Sequence, residues 1–475
     1  MKKYLIAIAL AVCLGGLGAF AQAEAPAADQ PPAAPPAAGQ QGATSSSEDE
    51  FFGSAGVEAK QGAAEKPNAA EAVEVEKEKL GFSGQLQSLS AYTVTRNFVQ
   101  GTAGVNDNTF ANTVMGDFLV DARLPKSYRM FMDLNINYVP TGVPVPETFS
   151  GFPGPGTLTL VQNQTTLLDI KEVFVDFNFA NTVYFRAGKQ VLQWGTGYFW
   201  NPTDLINVSH KSFTNLNALL DGVFGLRGDV TFTPSFHLYT FINLNGVQDL
   251  TDVAYAARTE FLAGKAELGL VGWYEYNKIP VFGADLTMPL FWELNMTGEA
   301  SLSYGDNQQK YDTSGNAYSV SSQLVPKVDL GLSRTFDAFN VQDRVSVMTE
   351  FFWNSDGYNQ NMFQDLTGLN LNTFYSTYYH AGYYGQYYGA LFISIGSFGL
   401  TNMTLSLDGL CNFSDMSAIA LVGLSYEPVS NFTLQVQVGS YLGANNGEYT
   451  ISVNPTTTAI TNNQFFGILG ATVNF

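Results

Sequence analysis

Gln464-Phe465-Phe466-Gly467-Ile468-Leu469-Gly470-Ala471-Thr472-Val473-Asn474-Phe475 is the stretch that decides the fold. Counted back by twos from Phe475, one set reads Phe475, Val473, Ala471, Leu469, Gly467, Phe465, all apolar or small. The other reads Asn474, Thr472, Gly470, Ile468, Phe466. Period two is the signature of a strand with two different faces. The same alternation recurs upstream. Met130, Met132, Leu134, Ile136 and Tyr138 oppose Arg129, Asp133, Asn135 and Asn137. Leu294, Met296, Ala300, Leu302 and Tyr304 oppose Glu293, Asn295, Thr297, Glu299 and Ser301, and Phe432, Leu434, Val436 and Val438 oppose Thr433, Gln435 and Gln437.

Composition says what the two faces meet. Only 13% of the 475 residues are charged, about half the roughly 25% of a soluble globular chain. Aromatics make up 14%, with 36 Phe and 24 Tyr, and mean hydropathy is +0.01. Beyond the amino terminus no apolar run reaches the roughly 20 residues a spanning helix needs. A lipid-facing chain without such helices must satisfy its backbone in a closed sheet. The polar face is mostly Ser, Thr, Asn, Gln and Gly with scattered charges, which suits a wetted lumen better than the charge-rich exterior of a soluble sandwich. Tyr and Phe near segment ends fit interfacial girdles. The expectation is an all-β, transmembrane antiparallel β-barrel over residues 81–475. About eighteen segments fit strands, and barrels of this kind carry even strand numbers, which gives about 16–18. At that size wall side chains cannot fill the interior, so a water-filled lumen is expected unless loops plug it. Short turns such as 124–127, 180–181, 233–235 and 428–431 should lie at one end, and the long segments 139–164, 193–221, 305–324, 355–380 and 443–463 at the other. The proline-rich 139–164 cannot be a spanning strand.

The amino terminus reads as an export signal over 1–23: Lys2 and Lys3, an apolar run from Tyr4 to Leu14, then Ala19-Phe20-Ala21 or Ala21-Gln22-Ala23 as the cleavage site. The rival is a lipoprotein acylated at Cys13, for which Val12 is a poor preceding residue. Residues 24–80 are rich in Pro, Ala and Glu, hold eleven acids against four lysines, and lack a hydrophobic period. They are expected to form a disordered periplasmic leader, with a short helix over 69–79 as its one regular element. The net charge of -20 is therefore partly a property of the leader. With Cys13 removed, Cys411 is the one remaining cysteine, so no intramolecular disulfide is available.

A strand that alternates up to an aromatic Phe475 resembles the closing strand of bacterial outer-membrane barrels. That resemblance implies that Phe475 belongs to the signal read by the barrel assembly machinery. The segment Phe185 to Asn207 contains Arg186-x-Gly188-Lys189-Gln190, then Trp194-Gly195, then Asn201-Pro202-x-Asp204-Leu205. This pattern resembles a signature of a broad group of porin-like outer-membrane barrels. It implies a porin or channel and names no solute.

Read physically, Arg186 and Gln190 share a parity and should face the lumen, as should Glu172 and Asp176 one strand earlier. A pair between Arg186 and either acid would set a transverse field across a pore, or only stiffen the wall. Asn201-Pro202-Thr203-Asp204 is turn or cap sequence, with Asp204 placed to cap a helix over 205–209. The segment is expected to fold inward, with Trp194, Tyr198, Phe199 and Trp200 serving as stacking faces for a sugar or as anchors. The lumen and constriction candidates are thus Glu172, Asp176, Arg186, Gln190, Trp194, Tyr198, Trp200 and Asp204.

Three histidines, His210, His237 and His380, show no metal spacing, and no nucleophile elbow or HExxH occurs, so neither an enzyme, a metal site nor a cofactor is expected. No nucleic-acid module is present. The expected partners are outer-membrane lipid, the assembly machinery and a small polar solute. The leading function is a channel for such solutes. The alternatives are a plugged transporter of hydrophobic compounds and a surface adhesin or structural envelope protein.

Overall fold

The computed structural model describes residues 79–97, 106–124, 128–139, 166–179, 182–206, 213, 221–312, 314–365, 379, 381–453 and 460–475. The export signal, nearly all of the leader with its short helix, the segment 140–164, His210 and His380 lie outside these residues.

Among the described residues, twenty-one strands follow in order: β1 (Lys79–Asn97), β2 (Asn106–Leu124), β3 (Tyr128–Tyr138), β4 (Thr166–Phe179), β5 (Val183–Gln190), β6 (Val223–Thr233), β7 (Phe236–Asn243), β8 (Ala254–Ala263), β9 (Ala266–Glu275), β10 (Val281–Pro289), β11 (Asn295–Tyr304), β12 (Gln309–Tyr311), β13 (Ala317–Ser319), β14 (Leu324–Ala338), β15 (Val341–Asn354), β16 (Tyr387–Ile395), β17 (Met403–Asn412), β18 (Ser417–Val429), β19 (Phe432–Gly443), β20 (Ile451–Val453) and β21 (Ile460–Asn474). β12 and β13 form a separate hairpin, and β20 pairs only with the start of β21. The others form an 18-strand antiparallel barrel, each paired with the next. Closure is made by β21, which pairs with β19 on one side and β1 on the other. The expected count of about 16–18 strands is met at its upper value, and each of the expected segments corresponds to one barrel strand. β1 starts at Lys79, two residues before the expected boundary.

Burial is inverted relative to a soluble domain, and the alternation is the cause. In β3, Arg129, Phe131, Asp133, Asn135 and Asn137 are turned inward and buried, while Tyr128, Met130 and Tyr138 are exposed. In β21, Leu469 is 60% exposed while its neighbour Ile468 is 4% exposed. Outward Leu, Val, Phe and Tyr recur on the barrel strands. A sheet closed on itself leaves no unpaired edge, so this apolar wall can sit in hydrocarbon with every ladder bond satisfied.

Short connections join β2 to β3, β4 to β5, β6 to β7, β8 to β9, β10 to β11, β14 to β15, β16 to β17 and β18 to β19. They fall at the barrel end where β1 begins and β21 finishes. One of the two-residue turns is Phe339-Asn340, both at positive φ (52° and 61°), the primed geometry whose twist matches the flanking strands. The long connections, including 191–222, 305–323, 355–386 and 444–459, share the opposite end.

The interior departs from the expected polar lumen on one side. Inward residues of β15 to β19, β21, β1 and β2 include Phe352, Tyr388, Ala390, Phe392, Leu410, Ile419, Leu421, Phe466, Ile468, Ala91 and Ala111, and they pack into one apolar cluster with Phe199, Trp200 and Phe213. Parity assigns these positions to the inner face, but what covers them comes from another part of the chain.

Candidate functional site

The segment that follows β5 supplies that cover. Glu299 of β11 accepts hydrogen bonds from the backbone N–H of Thr196, from that of Gly197 at 2.5 Å and from that of Thr203 at 3.2 Å, and from Thr203 Oγ1 at 2.7 Å. Glu350 of β15 accepts from the Tyr198 N–H and from the Phe199 N–H at 2.8 Å. Along the ring β5–β6–β7–β8–β9–β10–β11–β14–β15, strand β15 is eight steps from β5, where nine would be diametrically opposite in an 18-strand barrel. Residues 191–203 therefore cross the interior from one wall almost to the other.

Glycine makes the crossing possible. Gly195 has φ +115°, and a Cβ there would fall 2.6 Å from Glu299 Oε1. Only a residue without a side chain allows both the left-handed turn and the close carboxylate.

The rings of this segment go to two places. Trp194 packs with Leu192, Ile206, Val223, Phe241, Ala256 and Val271, near the wall it left. Trp200 is fully enclosed on the far side: it stacks on Phe352 (centroids 5.7 Å, 14°), lies 5.7 Å from Tyr388, and donates its indole N–H to the Gly382 carbonyl at 2.9 Å. Tyr198 meets Phe392 edge-on at 5.0 Å. The Asn201 N–H donates to Tyr383 Oη at 3.1 Å. Asp204 closes a turn through its N–H to the Asn201 carbonyl at 3.1 Å. Residues 204–206 are not helical, and 207–209 of the expected helix lie outside the described residues.

The charged candidates stand on the near wall. Register places Asp176 directly opposite Arg186, and the pair is bidentate, Nε to Oδ1 2.6 Å and Nη2 to Oδ2 3.0 Å. Both are enclosed, 0% and 1% exposed. Arg186 also lies 3.8 Å from the centroid of Phe174, and Arg129 reaches Asp121 at 2.8 Å and Asp176 at 4.0 Å. Glu172, four residues along β4 from the Asp176 that register sets opposite Arg186, accepts the Val191 N–H at 2.8 Å, and the β3–β4 register shifts beside it, between Asp133 and Leu134. Gln190 is buried, with its amide near the carbonyls of Arg186, Gly188 and Gly225 at 3.4 to 3.5 Å. Phe475 lies outward, 6.1 Å from Phe118, and exchanges two backbone hydrogen bonds of 2.9 Å with Gly84.

Several site residues were not singled out from the sequence. Arg227 lies opposite Arg186 in register and pairs with Asp229 at 3.0 Å, and Arg258 pairs with Asp285 at 2.9 Å. Parity alone marks these residues as inward. Glu299 and Glu350 were legible only as polar-face residues, since their partners lie about 100 to 150 positions away.

A second hub holds the long loops. Glu448 is fully buried and accepts from Tyr388 Oη (2.7 Å), Asn412 Nδ2 (2.7 Å), the Gly382 N–H (3.0 Å) and Tyr379 Oη (3.0 Å). Burial, with the Asp415 carboxylate close by, pushes its carboxyl up to about 7. Among the described residues no group of three or more His, Cys, Asp or Glu could hold a metal ion.

No protein-family model matches the sequence, and no curated protein does. Solved structures do resemble the barrel. OccAB4 of Acinetobacter baumannii is 8% identical, with 84% of this chain and 100% of that one covered at a TM-score of 0.48. OccK8 (OprE) of Pseudomonas aeruginosa is 9% identical, with 83% and 98% covered at 0.49. The outer membrane protein OpdK of Pseudomonas aeruginosa is 9% identical, with 83% and 100% covered at 0.46. At these scores the reading of the chain rests on its own closed register and inverted burial.

Proposed function

We propose that this chain is a bacterial outer-membrane channel passing small polar solutes, with residues 191–206 as its constriction. The observation that carries the reading is the segment crossing the inside of a closed, inverted barrel. An apolar exterior calls for lipid, and a segment drawn across the interior and held through its backbone amides narrows the path. Arginine–carboxylate pairs on β3 to β10 face the acids Glu299, Asp329 and Glu350 on β11 to β15. This arrangement supports a transverse field that favours solutes with charge or a strong dipole. Within it Asp176 and Arg186 stiffen the wall, and Tyr198, Trp200 and Asp204 belong to the constriction. Export by residues 1–23, a periplasmic leader up to β1, long loops facing outward and recognition of the β21 strand by the assembly machinery complete the proposal.

The filled apolar half of the interior bears on the second reading, uptake of hydrophobic compounds. Its members are buried against one another, so side chains already occupy the space such a solute would need.

The test is single-channel recording of the purified, refolded barrel in a planar bilayer, with swelling of proteoliposomes in neutral and charged sugars. Stable open steps and swelling by sugars are expected. A heat-modifiable barrel that never conducts and never swells its vesicles would overturn the channel, and fatty-acid uptake by the same vesicles would replace it.

A further inference from the structure

We infer that Glu299 and Glu350 are the positioning residues of the constriction: the two carboxylates of the far wall fix residues 196–203 by capturing their backbone N–H groups. The inference rests on the channel reading and deepens it.

Four consecutive N–H groups, from Thr196 to Phe199, end on two side chains. A run of free amides inside a barrel has no strand to pair with, and an unpaired buried N–H is costly. A carboxylate is the one side chain that accepts from several donors at once and donates to none. Its hydrogen bonds are charge-assisted and about twice as strong as neutral ones. Glu299 takes Thr196, Gly197 and both donors of Thr203, so it holds the segment at two points seven residues apart at most. Glu350 takes the next two amides and thereby sets where Tyr198 and Trp200 enter the far apolar cluster. The side chains of the segment vary in type, but the grip is on backbone, so it fixes path rather than residue identity. Glutamine is the discriminating replacement. It keeps the length and one acceptor oxygen, but its NH2 points two donors at the amide row.

The experiment combines single-channel recording with acrylamide quenching in E299Q, E350Q and the double variant. Quenching uses a background in which Trp273, Trp292 and Trp353 are phenylalanine, so that Trp194 and Trp200 alone report. Losing about two charge-assisted bonds shifts the ratio of held to released segment by roughly tenfold or more. The expected result is greater quenching, larger conductance with added fast closures, and an unchanged heat-modifiable barrel band. Unchanged quenching and unchanged conductance in folded variants would overturn the inference. If the parent never conducts but E350Q still exposes the tryptophans, the channel reading fails and the positioning role stands. If the parent conducts and neither readout moves, the positioning role fails alone. The single variants each keep one carboxylate and decide the matter if the double variant does not fold.

Discussion

Gly188 has φ +136°, and a Cβ there would lie 2.2 Å from the Val173 carbonyl oxygen and 2.8 Å from Phe174 Cα. The residue is glycine because β4 and β5 come together over the inward ring of Phe174, on whose face Arg186 lies. Gly188→Ala is expected to destabilise the barrel by about 1–3 kcal/mol or more, read as a lower unfolding temperature in the heat-modifiability gel. The Asp176–Arg186 pair carries a second prediction. Arg186→Met alone leaves an enclosed carboxylate without its bidentate partner and is expected to cost about 3–5 kcal/mol. Arg186→Met with Asp176→Leu removes both charges and is expected to recover most of that loss in urea titrations. Equal instability of the single and double variants would mean that packing, not charge pairing, holds the β4–β5 junction.

Among the elements, the loop 444–450 has the least sequence signal and a clear structural role. Through Glu448 it binds the segment 379–386, and that segment in turn receives Trp200 and Asn201 of the constriction through Gly382 and Tyr383. The groups facing Glu448 are Asp415, Tyr379, Tyr388, Tyr449 and Asn412, none of them cationic. Its carboxyl is raised from 4.5 to about 7, so the folded loop binds the proton more tightly than the unfolded one. That contribution is fully present below about 4.5 and is lost as pH rises through about 7. The hydrogen-exchange protection of residues 381–386 and 446–450, corrected for the intrinsic pH dependence of exchange, is therefore expected to be higher at acid than at mildly alkaline pH. Glu448→Gln should abolish the dependence and hold the loops in the protected form. A dependence that survives the substitution would assign it elsewhere.

For the whole molecule, inversion of burial is the organising fact. Val438 stands near the middle of β19 and is among the outward residues. Val438→Arg is expected to cost about 2–4 kcal/mol in lipid, whereas Val438→Leu should cost almost nothing; both are read by reversible unfolding in detergent or vesicles. Equal stability of the two would place this face out of contact with hydrocarbon. Sixteen of the eighteen wall strands reach the roughly 9 residues or more that a tilted spanning strand needs. β5 and β7, at 8 residues each, are the shortest of the wall.

The alternation in segments such as 464–475 was enough to define the strands, their inward and outward faces, their approximate number and the end at which short turns gather. Period two is a local property of the backbone, and closure follows from the demand that no edge meet lipid. Register made the Asp176–Arg186 pair legible as well, since both strands belong to one hairpin. That hairpin register sets Asp176, and not Glu172 four residues along β4, directly opposite Arg186. Sequence could not tell that Glu299 and Glu350 would hold residues 196–203, or that the inward faces of β15 to β21 would be covered by Phe199 and Trp200. Those contacts join positions about 100 to 150 apart or more. They exist only because the ring of strands closes and brings the wall opposite β5 within hydrogen-bond reach.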